Sequence, residues 1–270
     1  MRPLARGLAA LLLLALAAGG ATPQAGIATP PAGVSALPAG AAAVPWSVGE
    51  YLEYTVKFGI ANAGSGRMQV LGLDTLRGRD VWRLQFNVTG GFLFLRVNDS
   101  YDSWMDVQTL NSLRFVQDLS EAGSKRNRRY EIFPERGMFS QNGKPEEPTV
   151  ENPLDDASFF FFVRSIPLTV GETYEFHRYF NPRSNPVIIK VLRRETVKVD
   201  AGTFQALVIQ PIIKAGGLFA EDGRAEMWLS DDNRRILLQM KTRLSIGSLN
   251  LYLRKYRGTQ DVVPTAAKAP

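Results

Sequence analysis

The side chains that could catalyse a reaction are mostly carboxylates. Asp99, Asp102 and Asp106 follow one another closely, and Asp155 is adjacent to Asp156. Two carboxyl groups at a suitable distance can act as acid and base in glycoside hydrolysis. In an extended strand Asp102 and Asp106 share one face, and Asp99 lies on the other. A polar strand is the simpler interpretation of this pattern, and a carboxylate pair is the alternative.

Other groups that catalyse reactions or bind metals are scarce. The chain has one histidine and no cysteine, which excludes disulfides, a thiol nucleophile and cysteine-based metal sites. His177 falls beside Glu175 on the polar face of a predicted strand, so we expect a surface histidine. Asp231 and Asp232 suit a turn, because Asp side chains bond the local backbone. We expect no catalytic residue, metal or cofactor, with an enzyme as the less favoured alternative.

A short basic run is the second candidate site. Lys125, Arg126, Arg128 and Arg129 occur within five residues, and such a cluster can bind phosphate or an anionic lipid head group. A solvated loop and strand start is the alternative. The other basic residues are spread along the chain and do not interleave with aromatic residues, so nucleic-acid binding is not expected. Arg126, Arg128 and Arg129 are the predicted contacts to an anionic group.

A run of four phenylalanines, residues 159–162, is the most distinctive stretch of the chain. Residues 153–168 predict one short helix, because Asp155 or Asp156 can cap its start and Pro167 ends it. At about 100° per residue the four rings point almost all the way round the helix axis. A helix that is apolar all round is buried all round, so we expect a sheet on one side and a second wall, a ligand or a lipid on the other. The residues predicted to line a cavity here are all aromatic: Phe159, Phe160, Phe161, Phe162, Phe219, Trp82 and Trp104.

The elements that must position these residues are predicted to be strands. Apolar and polar residues alternate in residues 50–58 and 81–89, which indicates antiparallel strands that bury one face. Asp200-Ala201-Gly202 between two long alternating segments predicts a hairpin. We therefore predict an all-β fold: a strongly twisted antiparallel sheet or half-open β-barrel with one short helix packed against it.

Both ends of the chain are expected to lie outside this domain. Arg2 and Arg6 precede a Leu/Ala run at residues 8–18 that is too short for a stable membrane anchor, and small residues follow. This pattern predicts a cleaved signal peptide over residues 1–21 and a periplasmic or secreted protein with no transmembrane segment in its mature chain. Composition predicts a flexible Ala/Pro/Gly linker over 22–45, a single β-rich domain over 46–257 and a disordered tail over 258–270.

Several short motifs, in order, resemble an uncharacterised bacterial envelope family, domain of unknown function 3108. The resemblance covers about residues 48–257 and implies a secreted β-rich protein, with no catalytic residues to transfer. The phenylalanine run is more aromatic than that family's pattern. A looser similarity, at the level of the fold alone, links the pattern to periplasmic lipoprotein carriers, in which a half-open barrel holds acyl chains under a short helix. The motifs are Gly49-Glu50, Ala63-Gly64, Pro153-Leu154-Asp155 with Arg164, Val170-Gly171-Glu172, and residues 197–204 and 228–232.

Two functions fit these expectations. The first is a non-catalytic binding or carrier protein for a hydrophobic or lipid-like ligand of the cell envelope. The second is a structural envelope scaffold with a solid core, in which the phenylalanines are packing alone. Burial of four Phe side chains stabilises a fold by about 6–12 kcal/mol before the entropy cost. The expected partners are an apolar or lipid ligand, or another envelope protein.

Overall fold

The strands form one antiparallel sheet in this computed structural model, which describes residues 16–17, 40–92, 94–121, 124–213, 225–243 and 248–258. Two short 3-10 helices, Pro134–Arg136 and Pro182–Ser184, lie in connections. The strands are β1 (Leu16–Ala17), β2 (Tyr51–Phe58), β3 (Ala61–Leu76), β4 (Arg79–Phe92), β5 (Phe94–Asp106), β6 (Ser112–Glu121), β7 (Ser124–Phe133), β8 (Met138–Gln141), β9 (Glu147–Pro148), β10 (Thr173–Phe176), β11 (Val187–Val199), β12 (Gly202–Ile213), β13 (Glu226–Ser230), β14 (Leu237–Arg243) and β15 (Ser248–Arg257).

Most strands lie beside their neighbours in sequence. Strands β10 to β15 lie side by side, β15 then pairs with β2, and β2 to β9 continue to the other edge. Tyr51 lies opposite Arg257 in the β2–β15 pair. The first and last long strands therefore meet inside the sheet, and its edges are β9 and β10. Strand β1 lies off this path and pairs with β5.

The chain that leads into the helix joins the two edges of the sheet. Leu154 forms a parallel bridge with Tyr179, and the Phe180 N–H donates to the Leu154 carbonyl at 2.8 Å. The Thr149 hydroxyl donates to the Phe180 carbonyl at 2.6 Å. Residues 149–154 thus span the gap between β9 and β10, which do not pair with each other.

Helix α1 (Asp156–Ser165) forms where the sequence predicts it. Asp155 is its N-cap: one carboxylate oxygen accepts from the Ala157 and Ser158 N–H groups at 2.9 and 2.8 Å. The Ser158 hydroxyl accepts from the Asp155 N–H at 2.8 Å, which completes a capping box. The helix ends at Ile166, whose extended backbone precedes Pro167.

One face of the sheet, here called the inner face, packs against α1. Strand β4 places Trp82, Leu84, Phe86 and Val88 on this face, and all four are buried. Strand β2 buries alternate residues in the same way. The predicted all-β sheet with one packed helix is therefore confirmed. Helix α1 has ten residues, and no helix in the described part of the chain has the length and apolar character needed to cross a bilayer.

The packed domain begins earlier than the sequence predicts. The Ala42 N–H donates to the Val107 carbonyl at 2.9 Å, and Ala41 and Val44 contact the core. Residues 40–45 therefore lie against the domain, although composition assigns them to the linker. Short apolar side chains can pack from an extended segment that has no apolar period. Most of the predicted signal peptide, the rest of the linker and residues 259–270 lie outside the described residues.

Candidate functional site

Protein side chains enclose helix α1 on every side. Phe159, Phe160, Phe161 and Phe162 are 5%, 7%, 0% and 6% exposed, so the predicted all-round burial is confirmed. The two walls around the helix contain aromatic residues from distant parts of the chain. Phe160 lies 5.5 Å from Phe86, Phe161 lies 5.5 Å from Trp46, and Phe162 lies 5.4 Å from Phe176, measured between ring centroids.

A row of aromatic rings, here called the aromatic belt, crosses the inner face from β4 to β8. The register sets Phe86 opposite Tyr101 and Phe115 opposite Tyr130. Tilted or offset-stacked rings at such distances each add about 0.5–1.5 kcal/mol beyond area burial. The belt meets α1 through Phe86. Its successive centroid distances are 6.2 Å for Phe86–Tyr101, 6.4 Å for Tyr101–Phe115, 5.9 Å for Phe115–Tyr130 and 6.5 Å for Tyr130–Phe139.

Two adjacent carboxyl groups are buried where α1 begins. One Asp156 oxygen accepts from the Tyr179 hydroxyl at 2.7 Å, and the other accepts from the Gln117 amide at 3.1 Å. Asp155 accepts from the Ser103 hydroxyl at 2.6 Å in addition to its capping bonds. Burial raises the pKa of Asp156 to about 7, opposed by the Tyr179 hydrogen bond and assisted by the charge of Asp155. Burial also raises the pKa of Asp155.

The predicted basic cluster is divided between the two faces of the sheet. Arg128 lies opposite Gln117 and shares the inner face with Tyr130, and Arg126 follows on the same face. Arg128 donates to the Gln117 side-chain oxygen at 3.4 Å. Arg129 lies on the outer face, where its guanidinium donates to Glu131 at 2.8 Å. Arg126 and Arg128 can therefore act together, whereas the inclusion of Arg129 is corrected by the alternation of side chains along β7.

The tryptophans predicted to line one cavity also lie on opposite faces. Trp82 is 1% exposed on the inner face and lies 6.3 Å from Trp46. Trp104 lies opposite Arg83 on the outer face, and the guanidinium carbon is 4.1 Å from the centre of its ring. The prediction for Trp104 is therefore corrected, because the polar stretch around it gave no sign of which face is inner. Phe219 lies outside the described residues.

The carboxylates of β5 take part in separate local contacts. Asp99 is on the inner face and accepts from the Ser120 N–H at 3.0 Å. Asp102 accepts from the Gln85 amide at 2.8 Å, and Asp106 pairs with Arg79 at 2.7 Å. The parity of these positions agrees with the sequence, which separates Asp99 from Asp102 and Asp106.

The remaining predicted polar residues lie at the surface or in a turn. His177 contacts Glu175 at 2.9 Å, and both side chains are more than half exposed. Asp231 pairs with Arg194 at 2.7 Å, and Asp232 accepts from two backbone N–H groups of its turn at 2.9 Å. The described residues include no group of three His, Asp or Glu side chains placed to hold a metal ion.

An ion pair that holds the end of α1 is not among the contacts predicted from the sequence. Arg164, 2% exposed, donates from its two terminal nitrogens to the two Glu50 oxygens at 2.6 and 2.9 Å. Its Nε donates to the Arg234 carbonyl at 3.1 Å. A single Arg directly after the apolar residues 159–163 is the available signal, because a buried charge requires a partner. Glu50 and Arg164 both occur among the motifs that carry the family resemblance.

Comparison with known proteins places the chain in a family and relates its fold to solved structures. A β-barrel-like protein of domain of unknown function DUF1849 from Brucella abortus matches with a TM-score of 0.52 and 12% identity, over 80% of this chain and 99% of that one. A candidate lipoprotein from Parabacteroides distasonis is 10% identical over 79% of this chain and 98% of its own, with a TM-score of 0.33.

At 12% identity, the similarity to the DUF1849 structure is a similarity of fold alone. No curated protein matches the chain. The model of the family described as protein of unknown function, DUF3108, matches residues 53–254. That range contains the aromatic belt, helix α1 and most of the sheet, from β2 to β15. The chain is therefore a member of the DUF3108 family.

Proposed function

We propose that the protein is a non-catalytic periplasmic protein that binds or carries a hydrophobic or lipid-like ligand of the cell envelope. The supporting observation is the position of Arg126 and Arg128. Both are partly buried and lie on the inner face, on the same strand as Tyr130 of the aromatic belt. A single face of β7 thus offers an aromatic surface next to two guanidinium groups.

This pairing suits a ligand with an apolar body and an anionic head. A guanidinium binds a carboxylate or phosphate through charge-assisted hydrogen bonds, which are about twice as strong as neutral ones. Burial raises the pKa of Tyr130, so its hydroxyl stays neutral at physiological pH and adds a donor without a negative charge. The adjoining belt residue Phe139 is buried and packs beside Tyr130, which is the partly exposed ring of the belt.

The hydrogen bonding of the acidic residues supports a role without catalysis. Asp155 holds the start of α1, and Asp156 is held by Tyr179 and Gln117. Asp102 lies on the other face of the sheet from Asp99. The hydrogen bonds of Asp155 and Asp156 within the fold therefore support a structural role for these two carboxylates. Export to the periplasm rests on the signal-like residues 1–21.

A second candidate function, a structural envelope protein with a solid core, is favoured by the environment of α1. Phe161 is fully buried against Trp46, and Phe162 packs on Phe176. The aromatic contacts cover the helix without a ligand. The two candidates therefore differ over whether the face near Arg126 and Arg128 takes up a further molecule.

Native mass spectrometry and lipid extraction of the purified mature protein test the carrier function, followed by titration with a fluorescent fatty acid. We expect a co-purified lipid or saturable uptake of the probe. Arg128→Gln should weaken probe binding by about tenfold or more, because a hydrogen bond to a charged group is worth about 1.5–3 kcal/mol. Arg129→Gln, the matched control on the outer face, should bind as the unaltered protein does. Protein that emerges empty and takes up no probe favours the scaffold.

A further inference from the structure

A chain of hydrogen bonds links the buried carboxyl group of Asp156 to an arginine of the inner face. The Gln117 amide nitrogen donates to Asp156 at 3.1 Å, and the Gln117 side-chain oxygen accepts from Arg128 at 3.4 Å. Gln117 and Arg128 lie opposite each other on β6 and β7. The buried Gln117 side chain therefore connects the start of α1 to a residue that the proposed function places beside an anionic head group.

Asp156 changes its charge near neutral pH. It is 7% exposed, and burial raises its pKa to about 7. Burial also raises the pKa of Tyr179 and the pKa of Tyr130 above the ordinary value of 10.0, so both hydroxyls stay neutral there. Asp155 accepts from the Ser103 hydroxyl and from two N–H groups, and such bonds favour its charged form.

An anion bound at Arg128 would change the proton affinity of Asp156. The positive charge of Arg128 lowers the pKa of Asp156, whereas the charge of Asp155 raises it. A bound anion offsets the charge of Arg128 and therefore favours the protonated form of Asp156. The titratable and charged groups that face this position are Asp155 beside it in the chain, Tyr179 after β10, Arg128 and Tyr130 of β7, and, further along the inner face on β5, Tyr101 and Asp99.

Protonation also changes the hydrogen bonds of this chain. When the Asp156 oxygen that faces Gln117 gains a proton, it becomes a donor and requires the Gln117 side-chain oxygen as its acceptor. That oxygen then no longer accepts from Arg128. The Arg128 N–H group that was bonded to Gln117 becomes available to a bound anion, so the rearranged bonds and the change in charge act in the same direction.

We propose that Asp156 is a proton switch for the anionic head group of the ligand: a proton on Asp156 strengthens binding at Arg126 and Arg128, and its loss weakens binding. This inference rests on the proposed function and adds its regulation. Because linkage is reciprocal, ligand binding takes up a proton above pH 7. The affinity should be constant at mildly acidic pH and fall as the pH rises through about 7.

A probe whose own charge is fixed tests the switch. A fluorescent long-chain alkyl sulfonate, used below its critical micelle concentration, stays anionic at all the pH values compared. We expect the purified protein to bind it about fivefold or more tightly at pH 6 than at pH 8.5, in line with common coupling free energies. The alcohol with the same chain carries no charge, so its binding should change much less over this range.

Asp156→Asn should remove the difference, because an amide takes up no proton in this range. Its affinity for the sulfonate should be the same at both pH values. Asp118→Asn, at an exposed position of β6, is the matched control and should keep the full pH dependence. Calorimetry at pH 7.5 in two buffers of different ionisation enthalpy should detect proton uptake on sulfonate binding by the unaltered protein and none by Asp156→Asn.

Circular dichroism establishes that each protein is folded at both pH values. The switch is overturned if the unaltered protein binds the sulfonate equally at pH 6 and pH 8.5, or if Asp156→Asn keeps the pH dependence. Either result, with the sulfonate still bound, leaves the carrier function standing. Protein that binds neither the sulfonate nor the alcohol at any pH would reject the carrier function and the switch together.

Discussion

The Arg164–Glu50 pair helps to fix the rotation of a helix whose phenylalanines point to every side. Helix α1 has no polar stripe to orient it, because each of its phenylalanines is buried. Arg164 requires a defined position, since its guanidinium must reach Glu50 and the Arg234 carbonyl. Two parallel N–H···O bonds satisfy the carboxylate and offset part of the cost of removing both charges from water. We therefore expect the pair to contribute more to the orientation of the helix than to net stability.

Burial of Asp156, at the other end of the helix, makes the stability of the fold depend on pH. Its folded-state pKa of about 7 is above the ordinary value of 3.8, so the folded chain binds this proton more tightly than the unfolded chain. The resulting stabilisation is complete below the ordinary pKa and is lost as the pH rises through about 7. Asp155, Arg128, Tyr179 and Gln117 are the polar neighbours that set this balance.

Asp156→Asn should therefore flatten the pH dependence of stability. The wild-type free energy of unfolding should lose on the order of 3–5 kcal/mol from this group between pH 4 and pH 8. The amide is a neutral analogue of the protonated acid and can still accept from Tyr179, so the variant should be the more stable protein at pH 8. Urea unfolding at a series of pH values measures this. Asp118→Asn, an exposed position on β6, is the control, and an unchanged slope in Asp156→Asn would contradict the argument.

At the scale of the element, the close approach of β3 and β4 depends on two glycines. A Cβ added at Gly90 would lie 2.1 Å from the Ala63 carbonyl oxygen and 2.8 Å from the Gly64 Cα. Both obstacles are backbone atoms, which cannot move without disturbing the ladder. Gly66 is two residues further along β3 than Gly64. A Cβ added there would lie 3.6 Å from its nearest atoms, which are side-chain carbons of Leu251 and Tyr54.

Gly90→Ala should lower the free energy of unfolding by at least about 2 kcal/mol, since the added methyl must displace the backbone of β3. Gly66→Ala adds the same methyl at ordinary contact distance and should change the stability by less than about 1 kcal/mol. Urea denaturation of both variants provides the comparison. Equal effects of the two substitutions would show that the close approach does not limit the sheet.

The helix and many strands are predictable because the residues that mark each of them are close together in the sequence. Asp155 and Pro167 mark the ends of α1, and period-two alternation marks β2 and β4. The faces of polar strands were not predictable: Trp104 and Arg129 lie in stretches where neither parity is apolar, and only the packing of α1 defines which face is inner. The Asp156–Tyr179–Gln117 contacts join three distant segments, which no spacing in the sequence relates.

At the scale of the whole molecule, the segment before β2 belongs to the core. Trp46 is 3% exposed and contacts both Trp82 and Phe161. The guanidinium of Arg164 lies 5.9 Å from the centre of the Trp46 ring. Composition suggested a linker that ends at residue 45, because Ala, Pro and Gly predominate there. Ala41 and Val44 contact the core and the Ala42 N–H donates to the Val107 carbonyl, so the packed segment extends before residue 46, and composition does not record such contacts.

A chain that begins at residue 48 should melt on the order of 10 °C below one that begins at residue 40. Loss of a buried Trp costs about 3–5 kcal/mol, and each kcal/mol shifts the melting temperature by about 2–4 °C in a domain of this size. Thermal unfolding followed by circular dichroism measures the difference. Equal melting temperatures would place residues 40–47 outside the cooperative unit.

The pairing of β15 with β2 has a consequence for the order in which the chain is completed. Glu53 and Arg254, side by side in the sheet, are 201 residues apart in sequence. A chain made from its N-terminus holds β2 without a neighbour on that side until the last strand is available, and such long-range contacts form slowly. The strand pairing that forms last therefore lies inside the sheet. A chain that stops before residue 248 carries an unpaired strand edge, which promotes aggregation.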